Sequence, residues 1–266
     1  MARRIQTGER AKGRKDFWGF VWQGAEAEAL ACNALEWQFA AGGGRIIESD
    51  RTISVNNPAA IRSWQRARHW IGWISPPSVV VYRERDSMNV FDSGEAAFDR
   101  VWLGTSVAGS GPSTQVHWRG LQPRANTAFT ALPGGPGGSA GTLGGSGLAV
   151  SRRSSHPLEA VKLVSFLFHA QIEFEKRMNA PGSQPAFFSA PPGSQQSEKM
   201  IQSENVVHRA SIEAGSQYTQ VSKAYVTTVR AVLTGQKKAP EAAAELEKQL
   251  IQITGFRTGS PSRGNR

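Results

Sequence analysis

Glycine and proline mark off this chain into helix-length segments separated by short runs with strand character, and that alternation limits the folds open to it. Gly42-Gly43-Gly44 closes Ala25–Ala41, a segment rich in Ala, Leu and Glu, as glycine does just past a helix C-terminus. Asn57-Pro58 opens the next helix, to about Trp73, with Asn as cap and Pro at the first helical position. In it Ile61, Trp64, Ala67, Arg68 and Ile71 fall three or four apart, so one face is buried. Further helices are expected over Arg83–Ser93 (closed by Gly94), over Leu158–Ala170 with a second helix following to about Met178, and over Tyr218–Leu233 and Pro240–Ile253. Between them Phe17–Trp22, Ala96–Trp102, Phe129–Leu132 and Leu148–Ser151 read as strands, and Arg45–Asn56 as a small hairpin about Asp50-Arg51. Gly104–Asn126, the run PGGPGG (Pro133–Gly138) and residues 180–198 read as loops. Short strands alternating with helices predict an α/β class.

At 266 residues with 39% hydrophobic content, the chain suffices for one large or two small domains with a real core. Its net charge of +10 raises nucleic acid as a partner, but the excess lies at the ends. Arg3, Arg4, Arg10, Lys12, Arg14 and Lys15 face only Glu9 and Asp16 in residues 1–16, and the last ten residues carry Arg257, Arg263 and Arg266 with no acid. Both ends are expected to be flexible and solvated. No basic stripe interleaved with aromatics follows, so nucleic acid is not an expected partner. The single cysteine, Cys32, sits in an apolar helical run and reads as a small buried hydrophobe. No apolar stretch reaches the roughly 18 residues of a membrane span, and no apolar segment follows the N-terminal charges as a signal peptide requires.

Catalytic constellations do not assemble. The chain has no G-x-S-x-G, H-E-x-x-H, C-x-x-C or P-loop, and its five histidines are scattered without metal-ligand spacing. An enzyme has no support here, and no metal or cofactor is expected. The eight tryptophans say more. Most fit core packing, as Trp37 and Trp64 do at helical spacing. Trp22 and Trp102 end strand-like runs beside glycine-containing loops, a common setting for a ligand cleft in α/β folds. An indole there offers a flat apolar face to the C–H side of a pyranose. On residue types alone, packing and sugar contact both stay open.

Five segments tip that balance. They are FVWQGAEAEALACNALEWQFAAGGG (Phe20–Gly44), NNPAAIRSWQRARHWIGWISPP (Asn56–Pro77), SGEAAFDRVW (Ser93–Trp102), ALPGGPGGSAGTLGGSGLAVSRRSSHPLEAVKLVSFL (Ala131–Leu167) and QYTQVSKAYVTTVRAVLTGQKKAPEAAAELEKQLIQITG (Gln217–Gly255). In this order they resemble the family 1 extracellular solute-binding proteins, nearest to the trehalose/maltose-type sugar-binding group of bacterial ABC importers. The resemblance implies a type II periplasmic-binding fold, a sugar held between two lobes without chemistry, permease subunits as partners, and a place on the periplasmic or extracellular face. It implies an N-terminally truncated member: mostly the C-terminal lobe, with a first part over 17–142, a return segment of the other lobe over 143–180, and C-terminal-lobe helices over 181–256. Residues 1–16 and 257–266 remain as flexible ends. With no export signal, a genuine start would leave the chain cytoplasmic.

Carried over residue by residue, the resemblance places Trp102 where an aromatic stacks on the sugar. Gly144 and Gly145 fall in a T-L-G-G loop where backbone nears the ligand. Gln23 and Glu28 match polar positions at the head of the first helix, Trp22 adjoins them, and Arg209 matches a basic position near the cleft. Ser146 and Ala27 stand where the family commonly has aromatic residues. Without first-lobe strands, Leu163, Val164, Phe166 and Leu167 are expected to expose apolar surface, and sugar binding by this chain alone is expected to be weak. The remaining alternatives are a basic nucleic-acid- or polyanion-binding module and a non-functional gene fragment.

Overall fold

The computed structural model describes residues 1–102, 130–144, 148–178 and 205–262, and by contact they fall into two units. Unit 1 comprises Met1–Val101, Thr127–Leu143 and Met200–Arg266; unit 2 comprises Trp102–Asn126 and Gly144–Lys199. The chain thus passes from unit 1 to unit 2 at Val101/Trp102 and again at Leu143/Gly144.

Unit 1 is built around α2 (Glu28–Ala40), whose residues are buried on nearly every side, the pattern of a helix enclosed in a core. Against it pack α3 (Pro58–Trp70) and α7 (Tyr218–Leu233), which follows the short helix α6 (Ser211–Ala214), while α8 (Ala239–Thr254) packs on α3 and α7. Asn57 caps α3 by accepting hydrogen bonds from the Ala59 and Ala60 N–H groups, both at 3.0 Å, with Pro58 at the first helical position. The core joins Leu30, Leu35, Trp64, Tyr225, Val229, Leu246 and Leu250. Trp64 and Tyr225 meet edge to face at 5.9 Å, so truncating Trp64 to Ala costs about 3–5 kcal/mol. A single-turn 3-10 helix, Pro77–Val81, precedes α4 (Glu84–Asp92), which Gly94 ends in a left-handed conformation (φ 78°).

Among the described residues, strand pairing is sparser than the sequence suggests. The runs Phe17–Trp22 and Ala96–Trp102 do align in parallel, but only through bridges Trp18 to Ala96 and Val21 to Asp99. The regular pair is β1 (Ala140–Thr142) with β2 (Asn205–Val207), parallel, with Gly141 opposite Val206. The hairpin about Asp50-Arg51 closes on the antiparallel bridge Ile47 to Ile53, with Arg51 at φ 62°. Leu148–Ser151 forms no strand, nor do residues 130–132 of the expected Phe129–Leu132 strand. The loops expected over 104–126 and 180–198 lie outside the described residues.

Three segments expected to be loose are packed. Residues 2–11 form a helix, α1 (Ala2–Ala11), docked by its polar groups. Gln6 is buried: its amide donates to Trp73 O (2.8 Å), and its carbonyl accepts from the Gly19 N–H (2.7 Å). The guanidiniums of Arg3, Arg10 and Arg14 lie over the rings of Trp73, Trp18 and Phe17 at 4.9, 4.6 and 4.5 Å. At the other end, Arg257 O accepts from the Ile53 N–H and Gly259 N donates to Ile53 O, which lays the tail beside Ile53 as a parallel bridge. Residues 2–11 and 257–259 are thus packed where their charge suggests flexible tails. The PGGPGG run caps α2: Gly137 N donates to Ala40 O at 2.9 Å, and a Cβ on Gly135 would lie 2.4 Å from that oxygen.

In unit 2, α5 (Pro157–Met178) is a single helix where two were expected. As expected, Leu163, Phe166 and Leu167 are exposed, with Leu158 and Val161 beside them, while Val164 is half-buried.

Candidate functional site

The sequence-predicted residues divide into two groups, one in each unit. In unit 2, Trp102 and Gly144 are the first residues on the two passages of chain from unit 1, and they touch. The half-buried indole lies so close on the glycine that an added Cβ would be 2.5 Å from Cζ3 and 2.8 Å from Cε3. Only a residue without a side chain allows that approach, a physical reason for glycine at this position. The pair is a flat apolar ring backed by bare peptide, a surface that can receive the C–H face of a sugar. Gly145, the other glycine of the pair, lies outside the described residues.

In unit 1, Glu28 begins α2 and is held by three donors. Arg209 Nη1 donates at 3.0 Å, Ser222 Oγ at 2.6 Å, and the Tyr218 hydroxyl completes the set. Burial pushes the Glu28 carboxyl up, but hydrogen bonds from Ser222, Tyr218 and Arg209 outweigh it and hold it below its ordinary value. Burial and the Glu28 carboxylate together raise the Tyr218 phenol to about 12, so it stays a donor. The helix N-terminus adds favourable dipole charge for the carboxylate. Arg230 holds the preceding loop through Gly24 O (3.1 Å) and Val80 O, and Thr227 donates to Glu26 at 2.7 Å. Both Glu28 and Arg209 keep partial exposure, 41% and 28% of their side chains, so this fixed charged cluster can offer hydrogen bonds outward.

Burial corrects two of the expected contacts. Trp22 is 0% exposed, edge-on to Trp37 at 4.9 Å, with its indole N–H donated to Ser75 Oγ. Gln23 is 1% exposed and donates to Ser87 Oγ (2.7 Å) and Arg100 O (2.8 Å) while accepting from Asn33. Their neighbour Gly24 has Val79 O where a side chain would be, so the loop turns inward and takes both residues into the core. Cys32 is likewise fully buried, and burial pushes its thiol up to about 12, so it is no nucleophile at neutral pH.

The polar core beneath these residues was not anticipated. Glu36 and Arg100 form an ion pair with 4% of each side chain exposed. Arg100 donates from both Nε (3.1 Å) and Nη2, and the Thr142 N–H donates to Glu36 Oε1 at 3.1 Å. Burial alone would lower the Arg100 pKa, and the Glu36 carboxylate more than restores it. Asp99, next in the chain, has both carboxylate oxygens sealed from solvent without a well-aligned donor. Burial raises its pKa well above the usual carboxylate range, offset only in part by the Ser87 hydroxyl and the Arg100 charge. One local signal was available: Glu36 is an acid flanked by Leu35 and Trp37 in the interior of a mostly apolar helix.

Comparison with known proteins adds the following. The profile of the bacterial extracellular solute-binding proteins matches residues 9–172. The "Probable ABC transporter-binding protein" of Deinococcus radiodurans is 36% identical, across 96% of this chain and 60% of that protein. Among solved structures, maltose-bound MalE3 of T. maritima superposes with a TM-score of 0.73 at 26% identity, over 95% of this chain and 63% of that one. A sugar transporter from Arthrobacter chlorophenolicus with bound laminaribiose gives a TM-score of 0.68 at 15% identity, over 94% and 63%. The fold is the expected type II periplasmic-binding fold, and the chain spans about 60% of the length of these relatives.

Proposed function

The chain belongs to the bacterial extracellular solute-binding protein family, and from that premise we propose that it is substrate-binding sequence of an ABC importer for carbohydrates, di- or oligosaccharides in particular. In unit 2, Trp102 provides a stacking face backed by Gly144; in unit 1, the part-exposed Glu28 and Arg209 are a separate group able to hydrogen-bond hydroxyls. The sugar is bound and handed to permease subunits unchanged, on the outer side of the cytoplasmic membrane. The observation that carries the reading is the half-buried indole seated on bare glycine backbone. The maltose held by MalE3, at 26% identity, and the transporter-binding description of the Deinococcus protein support it. Among the described residues, no helix is long and apolar enough to cross a membrane.

A polyanion-binding role would draw on the basic N-terminus, but Arg3, Arg10 and Arg14 lie on aromatic rings there, and Lys12 and Arg14 bridge to Glu9. Saturation-transfer NMR with maltose and other disaccharides tests the carbohydrate reading and detects even millimolar affinity. Transfer to the ring C–H protons is expected, and it is lost in Trp102→Ala. Absence of transfer from any sugar of the panel, or full retention in the variant, overturns the assignment.

A further inference from the structure

The two chain segments that deliver Trp102 and Gly144 to unit 2 are tied together, two residues earlier, by one carboxylate. Arg100 precedes Trp102 by two residues and Thr142 precedes Gly144 by two. Glu36 holds both: Oε2 accepts from Arg100 Nε at 3.1 Å, and Oε1 accepts from Arg100 Nη2 and, at 3.1 Å, from the Thr142 backbone N–H. A planar guanidinium meeting a carboxylate through two nitrogens fixes orientation as well as distance. Glu36 lies in the middle of α2, so the carboxylate is anchored to a helix buried on nearly every side.

The surrounding hydrogen bonds restrict the same two segments. Arg100 donates its N–H to Val21 O at 3.1 Å, and its carbonyl accepts from Gln23 at 2.8 Å. The Thr142 hydroxyl donates to Cys32 O at 3.2 Å, one helical turn before Glu36. Each peptide is planar, so only a few soft torsions separate the held residues from Trp102 and Gly144. A shift at Glu36 therefore reaches both partners of the ring–glycine contact at once.

We propose that Glu36 is a positioning residue, which sets the register of the Arg100 and Thr142 segments so that the Trp102 indole and Gly144 emerge stacked. This rests on the carbohydrate reading for its biological meaning, but the geometry is testable without sugar. A buried ion pair that served stability alone would, when weakened, disturb the core of unit 1 as a whole. A positioning pair disturbs Trp102 selectively.

The test is fluorine NMR of the full chain labelled with 5-fluorotryptophan, with resonances assigned by single Trp→Phe variants. In sugar-free protein, Glu36→Gln is expected to shift or broaden the Trp102 signal and leave that of core Trp64 in place. An unmoved Trp102 signal in folded Glu36→Gln, or Trp102 and Trp64 moving together, overturns the proposal. If Glu36→Gln does not fold, Arg100→Lys keeps the charge and removes the planar fork, with the same criteria. Failure of both to fold also overturns it, since the pair is then a general stability element. Titrating wild type with maltose separates the two claims. A Trp102 signal that responds to Glu36→Gln but to no disaccharide leaves the positioning role standing and rejects the sugar platform.

Discussion

Gly144→Ala puts a methyl group into the contact on which the candidate site is built. The new Cβ would lie 2.5 Å from Trp102 Cζ3, 2.8 Å from Cε3 and 3.2 Å from Cη2. Non-bonded carbons settle at about 3.5 Å or more, so the ring must retreat by roughly 1 Å. The Gly144 backbone is outside the left-handed region, so alanine meets no torsional obstacle there. What moves is the side chain, not the main chain. Overpacking of this kind costs roughly 1–3 kcal/mol, and a ring free to rotate keeps the cost at the low end, a fall of a few degrees in Tm. Aromatic stacking contributes about 0.5–1.5 kcal/mol, so its loss weakens sugar binding roughly two- to tenfold. The assay is a double-mutant cycle read by thermal melts and by sugar titration. In a Trp102→Ala background the methyl group has no ring to displace, and its effect should vanish. If Gly144→Ala costs as much without the indole as with it, the contact is not the source of the effect and the reasoning fails.

Three further outcomes follow from the buried and charged groups. Asp99 has a native pKa above its unfolded value, so it favours the fold at low pH and loses that contribution as pH rises through the native pKa. Asp99→Asn should therefore stabilise the chain at neutral pH by about 1–3 kcal/mol, and an equal or lower Tm at pH 7 contradicts this. Glu28 has the opposite sign. Its depressed pKa gives stability above the unfolded value near 4.5 that is lost as pH falls through the native pKa; the Tm difference between wild type and Glu28→Gln should close in acid, and a difference that widens there rejects the assigned hydrogen bonds. Gln6→Ala removes both hydrogen bonds that the Gln6 amide makes to the rest of the unit, while the Gly19 N–H keeps its bond to Ile74 O, at a cost of about 1–3 kcal/mol in chemical denaturation. A neutral Gln6→Ala would return the N-terminus to a solvated tail.

Much of the fold was legible because its signals are local. The cap at Asn57, the glycines after α2 and α4, and the threefold and fourfold spacing in α3 and α7 are written within a few residues of the structure they specify. The ends of the chain were misread for the converse reason. Charge density near Arg3 and Arg10 says nothing about the rings they lie on, and Trp73 is 70 residues from Arg3. Likewise Arg257 and Gly259 are ordered by a strand partner at Ile53, far away in sequence. At the site, Trp102 and Gly144 were legible as a motif resemblance, and the structure brings them into contact. Trp22 was placed at a cleft because it ends a strand-like run beside a glycine, and Gln23 because the resemblance has a polar position there, but sequence does not say which way such a loop turns, and here it turns inward. The Glu36–Arg100 pair spans 64 positions and has no local signature beyond an acid in an apolar helix.

The central claim is that the indole of Trp102, lying on Gly144, is the surface a sugar meets. A crystal structure of the chain soaked with a disaccharide tests it most directly. The account predicts a pyranose with its C–H face against the indole, beside Gly144. A sugar bound elsewhere, with the Trp102 ring untouched, would contradict it.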